Sequence, residues 1–201
     1  VRDDPSDKGY LSHAVHINDE NAAVKGNAIA GIREVLRYRN TWLLYLIPGA
    51  VAGSVITFAG LWGVPFLASH YGMEKTTAAA YCSTLLISWA VGGPVFGWLS
   101  DHLGHRKLLY ALGCVILLCG WSVVLLVPDL PDPLLAGMLI LIGFASGNMI
   151  IGFAFAKESV PARLSGTVSG LINMGVMMGP MILQPAVGWM LDRAWQGDAI
   201  D

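Results

Sequence analysis

Gly97-Trp98-Leu99-Ser100-Asp101-His102-Leu103-Gly104-His105-Arg106-Lys107-Leu108 is the stretch on which the fold turns. One long apolar segment runs into it and another runs out. A short turn carrying an acid, two histidines and two cations between two membrane-length segments is a tight hairpin at one edge of a bilayer. Its charges sit where the chain leaves lipid, and Gly97 and Gly104 let backbones approach and turn.

Composition agrees. Of 201 residues, 55% are apolar and only 13% charged, and mean hydropathy is +0.59. A soluble domain carries about 25% charged residues. The charges gather in the first forty positions and in short turns, and a net charge of −2 points to no nucleic-acid partner. Cys82, Cys114 and Cys119 fall in apolar surroundings without metal-ligand spacing, so they read as small core residues, with no metal or cofactor implied. No nucleophile–base pair or phosphate-cradling loop points to an enzyme.

Five segments are long enough to cross a hydrocarbon core, which takes about 20 mostly apolar residues. They are approximately Thr41–Leu67, Thr77–Leu99, Leu108–Val127, Leu134–Ala156 and Leu164–Leu191, and none has an ionisable side chain in its interior. This predicts an all-α polytopic bundle over residues 41–193. Residues 1–40 form a polar leader with an amphipathic helix over about 27–39, and residues 194–201 an extracytoplasmic loop. Ile29, Ile32, Val35, Leu36 and Tyr38 form the apolar side of that helix, expected in the headgroup region or as an extension of the first span. Short loops predict that sequential spans are antiparallel neighbours.

Positive charges set the orientation. One face collects Arg2, Lys8, Lys25, Arg33, Arg37, Arg39, Arg106, Lys107, Lys157 and Arg163, and the other only Lys75 and Arg193. Ten against two predicts that the leader is cytoplasmic. Glycines recur at four-residue spacing in Gly49/Gly53, Gly93/Gly97, Gly143/Gly147, Gly166/Gly170 and Gly175/Gly179. Apolar burial cannot drive helix association in lipid, so close backbone approach must.

The opening stretch resembles the signature loop of the major facilitator superfamily of secondary transporters, Gly-x-x-x-Asp-Arg-x-Gly-Arg-Arg/Lys. Gly97, Asp101, Gly104 and Arg106 match, with Lys107 beside them, while His102 and His105 stand where Arg is usual. Lys157-Glu158-Ser159-Val160-Pro161-Ala162-Arg163-Leu164-Ser165-Gly166 is similar to the stretch after that family's fourth or tenth helix, and Val1–Asp7 to the start of its central loop. The resemblance implies a piece of a longer chain, the C-terminal half of a twelve-helix fold, with helices seven to eleven present and an N-terminal half as partner. It also implies that the loop is a gate latch. Asp101 faces a helix N-terminus, and Arg106 reaches Glu158, with Lys107 and Arg163 nearby. A purely topological role for Arg106, Lys107 and Arg163 stays open beside it.

Transporters of this kind bind solute near the bilayer midplane. The mid-depth candidates are Thr57 and Phe58 (with Ser54 and Leu61 on their face), Ser88, Asn148 (with Phe144 and Phe155), and Asn173, Met177 and Gln184. Each also has a structural reading, since Asn and Gln often join helices and Ser and Thr bond their own backbone. Trp62 lies nearer the outer end. The resemblance thus implies an integral protein of a bacterial inner membrane, with the lipid bilayer and a small-molecule substrate as partners. It would move a small polar organic solute by alternating access, and its texture resembles permeases of organic anions or sugar phosphates. A non-transporting solute sensor on the same fold is the alternative.

Overall fold

The computed structural model describes residues 28–194. The expectations for residues 1–27 and 195–201 lie outside the described residues.

Five rods of 32, 29, 21, 27 and 33 residues are long and apolar enough to cross a membrane. At about 1.5 Å per residue even the shortest covers a hydrocarbon core of about 30 Å. All but the third run several residues past the expected ends, because the polar residues of the turns stay helical. Span one is α2 (Arg39–Thr57), a π-helical turn (Phe58–Trp62) and α3 (Gly63–His70). Spans two and three are α4 (Lys75–Leu103) and α5 (Arg106–Leu126). Span four is α6 (Asp132–Ser146) followed by α7 (Met149–Glu158), and span five is a 3₁₀ turn (Ala162–Leu164) continued by α8 (Ser165–Ala194).

The expectation of sequential neighbours holds for spans one and two, three and four, and four and five, but the main packing joins spans that are not consecutive. Span one lies chiefly against span five, and span two against span four, while spans two and three touch little. Glycine explains the pairing. A Cβ on Gly49 would sit 2.6 Å from the Gly175 carbonyl oxygen, and one on Gly53 would sit 2.9 Å from the Gly179 carbonyl carbon. At the second crossing, a Cβ on Gly147 would lie 2.6 Å from Gly92 Cα, and one on Gly143 would run into the Leu85 carbonyl. Helices this close gain dispersion contact that lipid cannot supply. A Cβ on Gly93, Gly166 or Gly170, equally regular in sequence, would meet nothing within 4 Å, and one on Gly97 would meet only an Ile150 methyl at 3.8 Å.

Two apolar cores result. One gathers Phe58, Leu67, Leu85, Leu117, Leu135, Leu139 and Ile142 at the end that carries the first and third interspan turns. The other gathers Leu44, Phe96, Leu109, Tyr110, Ile151, Leu164 and Ile172 at the end carrying the Gly97–Leu108 turn, called the basic end below.

The amphipathic helix is shorter than expected, and its faces are sorted differently. α1 spans Ala28–Val35 and a turn separates it from α2. Val35 is buried in the basic-end core, but Ile29 and Ile32 are 74% and 39% exposed. The side turned to the protein is Gly31, Glu34 and Val35. A small residue and an acid, rather than two isoleucines, fit the shallow surface offered by span five.

Candidate functional site: an ion-paired turn and a lined cavity

α4 ends at Leu103 because Gly104 takes a left-handed conformation (φ 64°), its N–H bonding the Ser100 carbonyl at 3.1 Å. That conformation costs an L-residue with a side chain about 1–2 kcal/mol. The reversal lets Arg106 open α5 directly opposite the end of α4. Its Nη2 donates to Asp101 Oδ1 at 3.0 Å and its Nη1 contacts Glu158 Oε1 at 2.6 Å. One guanidinium therefore joins the ends of spans two and four to the start of span three. The planar fork suits this, since its N–H groups point at two acceptors at once.

The arginine is 25% exposed, Glu158 55% and Asp101 71%, so solvent screens each contact and neither alone is strong. Neither histidine takes up the pairing of the arginine usual in its place. His102 stacks on Trp98 at 4.4 Å, and His105 Nδ1 lies 2.6 Å from the Leu103 carbonyl oxygen. Lys107 sits over the Phe155 ring at 5.7 Å. A cleft of about 440 Å³ opens between Gly104, His105, Arg106, Lys107, Phe155 and Glu158. Gly97 lies beside Ile150 of α7, one turn back along α4 from Asp101.

Arg163 is drawn elsewhere. Its two terminal nitrogens grip both oxygens of Glu34, at 2.6 and 2.9 Å. The hydrogen bond from Arg163, helped by the charges of Arg163 and Arg37, holds the Glu34 carboxyl below its ordinary value despite some desolvation. Sequence reasoning missed Glu34. The available signal was that it is the one acid between residues 28 and 40.

The cavity candidates do not converge. Thr57 and Phe58 line an apolar cavity of about 540 Å³ with Ser54, Trp62, Phe66, Trp121, Leu183 and Val187. Leu61, expected on that face, is half exposed and absent from the lining. The π-turn inserts one residue into the helix and hands the position to Trp62. Trp62 lies against Gly188 and donates its indole N–H to the Gln184 carbonyl at 3.1 Å, while Trp121 donates to Ser54 Oγ at 3.1 Å. Gln184 therefore meets this site through its backbone.

Asn148 is fully buried and donates to the Tyr110 carbonyl at 3.2 Å, joining spans four and three. The Phe144–Asn148–Phe155 stripe is broken because Gly147 and Asn148 are overwound. Their N–H groups bond three residues back, to Phe144 and Ala145, where span four presses on Gly92. Phe144 packs on Phe96 at 5.5 Å. Ser88 is half-buried where span two crosses Gly143. Asn173 and Met177 lie on the exposed side of α8.

The profile of the Major Facilitator Superfamily matches residues 3–184. The chain belongs to this superfamily. It is an integral membrane protein, and the turn that Arg106 ties together is the stretch that resembles the superfamily's signature loop. Among curated proteins it is 23% identical over 157 residues to a "Probable nitrate/nitrite transporter NarK2" of Mycobacterium tuberculosis, covering 76% of this chain and 39% of that protein. It is 24% identical over 156 residues to a "Multidrug resistance protein MdtG" of Klebsiella pneumoniae, covering 76% of this chain and 36% of that protein. The chain spans less than two fifths of the length of these relatives.

Proposed function

We propose that the chain is the C-terminal half of a twelve-helix secondary transporter of a bacterial inner membrane. Its basic end faces the cytoplasm, and the whole protein moves a small polar solute by alternating access. The observation that carries this reading is the double pairing of Arg106 with Asp101 and Glu158. The Asp101 contact lies within the second turn and aims the guanidinium, while the Glu158 contact holds as long as that turn and the end of span four stay together and is lost when they part. That is the behaviour of a latch that favours one state by an amount small enough for a solute to overcome.

The charge asymmetry supports the cytoplasmic assignment of the basic end. The relatives support transport and pull the substrate two ways, one toward small inorganic anions and the other toward drugs. Neither supports organic anions or sugar phosphates, so the proposal stops at a small polar solute. The predicted spans carry no Asp, Glu, Lys, Arg or His in their interiors. A charge that recognises an anion or carries a coupling proton would then come from outside these five spans.

The test uses the intact protein in proteoliposomes, with nitrate, nitrite and ethidium as separate probes and Asp101→Asn as the variant. We expect flux of at least one probe, falling more than tenfold in the variant with membrane insertion unchanged. Normal flux in Asp101→Asn overturns the latch, and binding of a probe with no flux overturns transport in favour of a sensor.

A further inference from the structure

The turn between spans four and five is held at both ends, and the latch accounts for only one of them. Glu158, at its start, meets Arg106. Arg163, five residues on, is gripped by Glu34 of α1. The residues between have little freedom. Val160 is 8% exposed, Pro161 fixes its own φ, and Ala162–Leu164 close a 3₁₀ turn whose last residue, Leu164, is 2% exposed. A displacement of Arg163 is therefore passed to Glu158.

The grip is better shielded than the latch. The difference lies in the acids, since the two arginines are alike at 30% for Arg163 and 25% for Arg106, while Glu34 is 35% exposed against 55% for Glu158 and 71% for Asp101. It is also two-pronged, which fixes direction as well as distance. α1 is in turn seated on span five. A Cβ on Gly31 would lie 3.5 Å from Thr167 Oγ1 and 3.9 Å from Leu164 Cδ2, and Val35 is fully buried. α1 thus offers Arg163 a fixed partner and not a swinging one.

We propose that Glu34 is a positioning residue of the gate: α1 is a brace that holds Arg163, and through the 159–164 turn sets Glu158 against Arg106. This rests on the latch reading above. Removing the Glu34 charge leaves the latch residues in place but lets their platform drift, so the basic end opens more often.

The experiment reads opening directly and needs no substrate. In the intact protein, with Cys82, Cys114, Cys119 and any other native cysteine replaced, Ser100→Cys serves as reporter. Ser100 is buried beside Asp101, 3% exposed. Its labelling rate by N-ethylmaleimide in membranes follows the opening of the basic end.

We expect Glu34→Gln to raise that rate about two- to fivefold, the range a partly exposed ion pair supports. Arg163→Lys, which keeps the charge and loses the fork, should give a smaller rise. The exchanged pair Glu34→Arg with Arg163→Glu should restore the slow rate. A disulfide between Gly31→Cys and Thr167→Cys should also restore it in the Glu34→Gln background, because it fastens the brace covalently. Unchanged labelling in Glu34→Gln, or a rise that neither the exchange nor the disulfide reverses, overturns the proposal. Arg106→Gln separates the two failures. If it opens the gate and Glu34→Gln does not, only the brace is wrong. If neither does, the latch reading falls with it.

Discussion

Gly92 and Gly93 are neighbours on α4 with the same intrinsic helix propensity, and both backbones border Gly147 of span four, yet only a Cβ on Gly92 would point into the crossing. Replacing each with alanine separates packing from propensity. A Cβ on Gly92 would run into the Phe144 carbonyl oxygen and sit 2.9 Å from its carbon and 3.1 Å from Phe144 Cα, whereas a Cβ on Gly93 meets nothing within 4 Å. Carbon atoms pack best at about 3.5–4.0 Å, so spans two and four must part by about 1 Å here. An opening of about 0.5–1 Å forfeits roughly a quarter to a half of each dispersion contact along the crossing.

Overfilling a packed site costs about 1–3 kcal/mol, offset by the 0.5–1 kcal/mol or so by which alanine is the better helix former. Gly92→Ala should therefore lose roughly 1–2 kcal/mol, and Gly93→Ala should be neutral or gain up to about 1 kcal/mol. Thermal unfolding of the intact protein in detergent, followed by tryptophan fluorescence, measures the difference. At about 2–4 °C per kcal/mol the gap is several degrees. Equal midpoints for the two variants, or a lower one for Gly93→Ala, would refute the argument that backbone contact at the crossing holds these spans together.

Three further outcomes follow from the same geometry. Gly104→Ala must hold φ near 64° with a side chain; it should cost about 1–2 kcal/mol and raise labelling of Ser100→Cys by loosening Arg106, and slow labelling with an unchanged midpoint would count against it. Asn148→Ala removes the bond to the Tyr110 carbonyl. It should lower the unfolding midpoint by the equivalent of about 1 kcal/mol while solute affinity stays the same, and a selective loss of affinity would make Asn148 a ligand instead. The pH dependence of α1 docking has a definite sign. Because Arg163 lowers the Glu34 pKa, the carboxylate's contribution is complete above the ordinary carboxylate range and is lost only as pH falls through the lowered value. A spin label at the exposed Ile29 should therefore keep its mobility from neutral pH down through the ordinary carboxylate range and loosen only below that range; loosening near neutrality would contradict this.

The ion-paired turn was largely legible in the sequence because its parts are local. Asp101 and Arg106 are five residues apart, and a glycine between them licenses the turn. Glu158 was reachable too, at the end of the next span on the same face. Glu34 was not, because its partner is 129 residues away and nothing in α1 marks which side meets the protein. The cavity candidates were least legible. They were placed on straight helices of 3.6 residues per turn, but span one carries a π-turn at Phe58–Trp62 and span four is overwound at Gly147–Asn148. One residue of slip exchanges Leu61 for Trp62 in the lining, and the overwinding turns Asn148 from a stripe toward Tyr110.

What the sequence by itself determined is the number of spans, the end at which the charges collect, and the turn that names the superfamily. Hydropathy, charge and turn chemistry are properties of consecutive residues, so they need no knowledge of the fold. Which spans touch was decided only in three dimensions. Five glycine pairs look alike in sequence, but the bundle uses Gly49/Gly53 against Gly175/Gly179, and Gly143/Gly147 against span two, while Gly166/Gly170 stays open and Gly92 serves where Gly93 was expected. In lipid every apolar face is equally content. The choice among them falls to the two backbones that can approach most closely, a property of pairs of helices that neither sequence carries alone.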